Sequence, residues 1–298
     1  MSDFGAAVKL TRAECLTYNC SQVTTLLTAR SLLFAPADDE RKLAKALASD
    51  ADAVVADLED AVAPEAKPAA RDVIRRVFDA AEGGALRLVR INAVGTAFHE
   101  EDLALVAELT LEAVVLPKAT PEAVDALGST GPPIVAIAET AQGVRLAYEL
   151  ATHPRVVALQ IGAVDLGAET GLEPRADGQE LLYVRSKLVL DSVAAGVRAP
   201  FDVVHLDIEA TEELEAECRL ARSLGFRGKA CIHPAQIPIV NRAFAPSEAE
   251  VAWSRRVVAA NDDAAAAGRG VFALDGAMID LPVVERARRV LLETERRE

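Results

Sequence analysis

The chain has 298 residues, 51% hydrophobic but only 4% aromatic, enough to bury a large aliphatic core in one domain the size of an α/β barrel, about 250 residues. Its formal net charge of -14 argues against nucleic acid or an anionic membrane as a general partner, so any phosphate must be met by a local group of cations. Cys15, Cys20, Cys218 and Cys231 form no CxxC pair and no zinc spacing, which points to a reducing, cytoplasmic compartment.

In chain order, residues 1–28 read as an extension with no assigned role. They lack the continuous apolar block of a signal peptide, and no later stretch is long and apolar enough to span a membrane. From Arg30 onward, short runs of Val, Ile and Leu alternate with longer segments of helical period, the signature of repeated βα units. The runs are 31–35, 53–56, 86–91, 113–116, 134–138, 156–161, 202–206 and 228–232, the number a (β/α)8 TIM barrel needs. Thr120 before Pro121 is an N-cap followed by proline at the first helical position, and Ser247 with Glu250 makes a capping box. Beyond the eighth run come a helix over about 247–267, a connector with Gly268 and Gly270, a short loop over 276–282 and a final helix. The expected layout is therefore an extension at 1–28, a barrel at 29–245 and a C-terminal helical extension at 246–298.

In such a barrel the chemistry sits at the C-terminal ends of the strands. Two runs end there in carboxylates, Glu139 after the fifth and Asp165 shortly after the sixth. Two hard oxygen ligands facing a cleft suit Mg2+, which keeps waters and takes further oxygens from substrate. The alternative is that Glu139 caps a helix and Asp165 opens a turn. Glu59 and Asp60 follow the second run, placed to hydrogen-bond the waters of such an ion. Arg90 ends the third run, where it faces either a developing oxyanion or Asp57 and Glu59 as a structural ion pair. The same rim would carry Lys67 and Arg71, Asn92, Pro117 and Lys118, His205 and Asp207, and His233. Arg41 and Lys45, four apart on the predicted first helix, share a face that is either a grip for a phosphorylated tail or a solvated surface. His99 and His153 read as surface residues, and Asp280 as the N-cap of the last helix.

The segments RSLLFAPADDERKLAKA, VVADLEDAVAPEAKPAAR, LVRINAVGT, VVLPKA, AIAETAQGV, IGAVDLG, LGFRGKACIHPAQI and DGAMIDLPV run in order from Arg30 to about Val284. Together they resemble the citrate lyase beta-subunit-like, or HpcH/HpaI-type, CoA-ester lyases. The resemblance implies a Mg2+-binding barrel, a homo-oligomer that is usually a trimer, and reversible carbon-carbon cleavage of a 3-hydroxyacyl-CoA thioester of malyl-CoA or citramalyl-CoA type into acetyl-CoA and a 2-keto acid. It also implies roles: Glu139 and Asp165 as metal ligands, Arg90 at the keto-acid end, and Phe34, Arg41, Lys45 and the backbone at Ala230 and Cys231 against CoA. Asp280 corresponds to the catalytic acid or base, expected to act at a neighbouring subunit's site. The chain departs from the family in Ala37 and Asp38, where Gly then Asn or Ser is common, and in Arg41, where lysine is common. A malyl-CoA thioesterase, or a non-catalytic, carrier-dependent subunit of a citrate lyase complex, are the competing expectations.

Overall fold

Alternation of side chains along short strands builds the core of this protein. The computed structural model describes residues 26–295 except Glu82, Ala176 and Ala267. Strands β1 (Ser31–Pro36), β2 (Ala53–Asp57), β3 (Leu86–Arg90), β4 (Ala113–Leu116), β5 (Ile134–Ala138), β6 (Val156–Ile161), β7 (Arg198–Asp202) and β8 (Gly228–Cys231) pair in that order, all parallel. β8 pairs back onto β1, closing a TIM barrel with helices around it. Leu32, Val55, Leu88, Val115 and Ile137 fill the interior, whereas their neighbours Leu33, Val54, Val89, Val114 and Ala136 pack outward under the helices. This period of two fixes which polar residues can look into the barrel mouth.

The floor is closed from below. Leu26 and Ala29 belong to the interior cluster, and Arg198 reaches the carbonyls of Leu27 and Ala29 while its guanidinium stacks on Phe201. Leu26, placed by the sequence reading in the extension, thus packs with the barrel interior. The rest of the expected extension, residues 1–25, lies outside the described residues, as do Cys15 and Cys20.

Strand seven corrects the sequence reading. It runs from Arg198 to Asp202, not over 202–206. Pro200 argues against a strand because it cannot donate to the ladder. Here it sits where the β6 to β7 register shifts between Ala158 and Gln160, the kind of irregularity that tolerates proline. The apolar residues after Asp202 belong to a loop instead, so His205 and Asp207 are loop residues. Asp207 accepts from the Glu209 and Ala210 N–H groups, and His205 Nδ1 lies 3.1 Å from Glu217.

Outside β7 and β8 a closed set of charges is buried. Arg185 donates to Asp202 at 2.9 and 3.2 Å and to Glu217 at 2.9 Å, and Lys229 lies 3.0 Å from both carboxylates. Burial opposes ionisation of Asp202, yet Lys229 and Arg185 hold its pKa below the ordinary value. The cluster ties helices Leu182–Ala195 and Thr211–Leu224 to the sheet beside the free, buried Cys218 and Cys231.

Residues from Ala245 onward form a second compact unit. Helix Glu248–Ala266 begins at the expected Ser247–Glu250 capping box, with N–H to side-chain bonds of 2.8 and 3.2 Å. The expected loop over 276–282 is in part a hairpin, Phe272–Leu274 against Ala277–Ile279, with Asp275 and Gly276 at φ of 53° and 81°. An Asp-Gly pair with both φ positive is the strongest two-residue hairpin signal, and it was present in the sequence. Helix Leu281–Glu295 follows, and Val257, Ile279, Val284 and Ala287 make the unit's core. Among the described residues no helix is long and apolar enough to cross a membrane.

Removing Asp202 would strand the fully buried Arg185 and Lys229, at a cost of about 3–5 kcal/mol. Asp202→Asn is therefore expected to lower the unfolding free energy of the barrel by about 3 kcal/mol or more in urea denaturation. A change below about 1 kcal/mol would mean that the cluster is not structural.

Candidate metal centre and active site

Four strands aim side chains into the barrel mouth by the same parity that fills the floor, three of them polar. Phe34 follows Leu32, Asp57 follows Val55, Arg90 follows Leu88, and Glu139 follows Ile137, each two residues on. Asp57 pairs with Arg90 in the β2–β3 register, and the two side chains make a two-pronged contact of 2.7 and 2.6 Å. Arg90 Nη1 also lies 2.9 Å from Glu59 Oε2, a charge contact without hydrogen-bond alignment, and its guanidinium sits over the Phe34 ring at 5.3 Å. Burial opposes its charge, but Asp57, with Glu59 and Asp60 behind it, outweighs this and raises its pKa. Both expected roles for Arg90 thus have a basis. The ion pair is formed, and of the five guanidinium N–H groups only some are occupied by these contacts.

Glu59 is held from several sides. Its N–H donates to Asp57 at 2.9 Å, and its carbonyl, with that of Leu58 and the side chain of Asn92, accepts from buried Lys67 Nζ at 2.7 to 2.8 Å. Asn92 is in turn bound to Asp102, which also takes Arg71 at 2.7 Å. Lys67, Arg71 and Asn92 are therefore the scaffold under the rim. His99 belongs to this scaffold as well. It is buried, 3% exposed, with Nδ1 2.9 Å from the Asn92 carbonyl, which corrects its reading as a surface residue. His153 is half-buried beside Asp125.

Glu139 is 2% exposed and accepts the Lys118 N–H at 2.7 Å. Gly162 makes room for it: a Cβ there would lie 2.2 Å from Glu139 Oε2, so the requirement is for space and not for an unusual φ. Burial, reinforced by the charges of Glu59 and Asp165, pushes the Glu139 carboxyl up to about 7 against the help of the Lys118 N–H. Asp165 lies in the first turn of helix Ala163–Thr170, partly exposed. Lys118 Nζ reaches Glu59 at 3.0 Å and Asp165 at 3.6 Å. Sequence reasoning placed Lys118 on the rim without a role and passed over Gly162; only the fold shows that both touch Glu139.

This donor set fits Mg2+. Asp57, Glu59, Glu139 and Asp165 face two cations, Arg90 and Lys118, and the remaining negative charge is what a divalent ion balances. Among the described residues no three His, Cys, Asp or Glu side chains form a ready-made cage. Zinc sites require three or four such ligands, whereas Mg2+ binds through one or two carboxylates plus water and substrate.

The other expected site residues fall in different places. Arg41 and Lys45 are exposed on helix Glu40–Leu47, whose N-cap is Asp39. Ala230 and Cys231 are buried in β8, and Cys231 packs outward under the helices with its thiol pushed up to about 12 by burial, so only its backbone is available to a ligand. Asp280 belongs to the C-terminal unit. There it accepts the Val283 N–H at 3.4 Å as cap of the last helix, the alternative weighed from sequence. A cavity of about 690 Å3, lined by residues including Leu172, Val203, Leu206 and Leu220, takes in His205 and Asp207 from the expected rim but none of the expected metal, catalytic or CoA-binding residues.

A family model described as HpcH/HpaI aldolase/citrate lyase matches residues 30–234. A citrate lyase subunit beta-like protein of Mycobacterium tuberculosis is 42% identical over 264 residues, covering 87% of this chain and 93% of the relative. A (3S)-malyl-CoA thioesterase of Cereibacter sphaeroides is 37% identical over 270 residues, covering 89% and 94%. The crystal structure of CitE from Mycobacterium tuberculosis in complex with magnesium, acetoacetate and coenzyme A superposes with a TM-score of 0.78 at 40% identity, over 90% of this chain and 99% of that one.

The strained ionisation of Glu139 makes a stability prediction. Its folded pKa, about 7, lies above its ordinary value of 4.5, so its favourable contribution is complete below pH 4.5 and is lost as pH rises through 7. In chelator, Glu139→Gln should be little more stable than the parent chain near pH 5 and on the order of 2–3 kcal/mol more stable at pH 8. Added Mg2+ should then stabilise only the parent. Urea denaturation at the two pH values checks this, and a variant that gains nothing at pH 8 contradicts the charge excess.

Proposed function

The chain belongs to the HpcH/HpaI aldolase/citrate lyase family, and from that premise we propose that it is a Mg2+-dependent CoA-ester lyase cleaving a short 3-hydroxyacyl-CoA, of malyl-CoA or citramalyl-CoA type, to acetyl-CoA and a 2-keto acid. The observation that carries this reading is the excess of carboxylate charge around Glu139 and Asp165 beside a fixed guanidinium. Bound by Glu139 and Asp165, with Glu59 and Asp60 around it, Mg2+ supplies Lewis acidity and orients the keto-acid end. Asp57 clamps one edge of Arg90, leaving its free N–H groups to meet substrate oxygen where charge develops. When the carbon-carbon bond breaks, its electron pair passes to the thioester enolate. Asp280, from a neighbouring copy in a homo-oligomer we take to be a trimer, gives that carbon its proton, balanced by the one the hydroxyl loses. Arg41 and Lys45 meet the phosphates of CoA, and Phe34 and the β8 backbone at Ala230 and Cys231 flank its thioester end.

A second reading has specific support, because the Cereibacter sphaeroides relatives are named (3S)-malyl-CoA thioesterase. Products separate the two. Purified protein with Mg2+ and malyl-, citramalyl- or citryl-CoA should release a keto acid and acetyl-CoA, and with methylmalyl-CoA a keto acid and propionyl-CoA, in each case without free thiol. Free CoA with the intact hydroxy acid would establish the thioesterase, and no product at all would favour a carrier-dependent subunit. Arg90→Lys should lower kcat about 100-fold, since an ammonium cannot replace a clamped planar donor. A near-normal rate would leave Arg90 a structural ion pair.

Asp280 has its own test. Inactive Asp280→Asn and Glu139→Gln chains, mixed under subunit exchange, should regain activity by pairing an intact metal site with an intact acid. Verified mixing without recovery would remove Asp280 from the neighbour's chemistry.

A further inference from the structure

We propose that Lys118 is the resident counter-cation of the metal site: its ammonium neutralises Glu59 and Asp165 while the ion is away, and gives up Asp165 when Mg2+ enters. The inference rests on the metal reading above and extends it to a residue that reading leaves without a role.

Lys118 touches three of the carboxylates at once. Its N–H donates to Glu139 Oε1 at 2.7 Å, and its Nζ lies 3.0 Å from Glu59 Oε1 and 3.6 Å from Asp165 Oδ1. To do so it adopts φ of 47°, a left-handed conformation that costs a residue with a Cβ about 1 kcal/mol or more. Only one other residue beyond glycine shares that sign among the described residues, Asp275 in its hairpin turn. Strain of this kind persists where the surroundings enforce it, and the polar contacts that Lys118 makes here are with the carboxylate cluster.

The two side-chain contacts are unequal. The bond to Glu59 is an aligned hydrogen bond, whereas the Asp165 contact is a longer charge contact. The Lys118 side chain is 40% exposed, so its Nζ can swing into the cleft without disturbing the core. A divalent ion held by Glu139 and Asp165 needs the charge that Nζ now balances, and two cations of like sign repel at that range. Lys118 therefore does two things. It keeps the empty site from flying apart, and it weakens Mg2+ binding by competing for Asp165. It is a positioning residue and takes no part in bond breaking.

The test uses the full chain. In calorimetric titration with Mg2+, Lys118→Met should bind the ion several-fold more tightly than the parent, and in chelator it should unfold at lower urea. On the unmodified chain, labelling of the Lys118 amine, read by peptide mass spectrometry, should rise several-fold when Mg2+ saturates the site; this arm stands even where the variant folds poorly. Parent Mg2+ binding with no tightening in Lys118→Met, or labelling unmoved by Mg2+, overturns the exchange and leaves the metal reading intact. A parent chain that binds no Mg2+ overturns both.

Discussion

Charge imbalance at the barrel mouth is the constraint on which the rest of the site depends. The Asp57–Arg90 pair is locally neutral and well aligned, and it sets the geometry of everything above it. Glu59, Glu139 and Asp165 are then gathered around it with Lys118 as the one further cation in contact among the described residues. Folding alone would not choose this arrangement, because it drives the Glu139 pKa up to about 7 and raises that of Glu59 through burial even with Arg90 and Lys118 beside it. Sites that store such a cost are the ones where a charged ligand recovers it.

The buried cluster on the opposite side of the sheet shows what the same residue types look like when they serve structure. Asp202 and Glu217 meet Arg185 and Lys229 in close contacts, and Arg185, Asp202 and Lys229 are fully buried. The charges there are matched, and the Asp202 pKa lies below its ordinary value despite burial. Each carboxylate of that set has a cation of its own within hydrogen-bond distance. The mouth lacks this balance, which is the physical ground for reading one cluster as chemistry and the other as architecture. Lys67, with three acceptors and no exposed face, belongs with the second kind, although it sits directly beneath the first.

Most of the barrel was legible because period-two apolar runs and cap residues agree with each other locally, as at Thr120 and Ser247. Strand seven was not, because Pro200 argued against the true segment while the apolar residues after Asp202 imitated a strand. His99 was misread because helical context says nothing about burial, which depends on Asn92 and Asp102 arriving from other elements. The carboxylates at the strand ends were legible as a set. What the sequence could not display was their electrostatic coupling: Lys118 and Gly162 act on Glu139 from the loops that follow the two strands flanking β5, one by a backbone N–H and one by lacking a side chain.

The C-terminal unit extends this reasoning to Asp280. The Asp275–Gly276 turn fixes a hairpin, Ile279 at its end is buried with Val257 and Val284, and Asp280 follows at the start of the last helix. The carboxylate therefore stands on a defined platform, with its position set by the core of that unit and not by a free tail. Its neighbours behave differently. Met278 is 73% exposed and Leu281 is 59% exposed, so apolar side chains flank the acid on both sides without cover. A cap that served only its own helix would gain nothing from such flanks. Under the proposed role, in which Asp280 acts in a neighbouring copy, these flanks would bring a water-excluding surface with the acid.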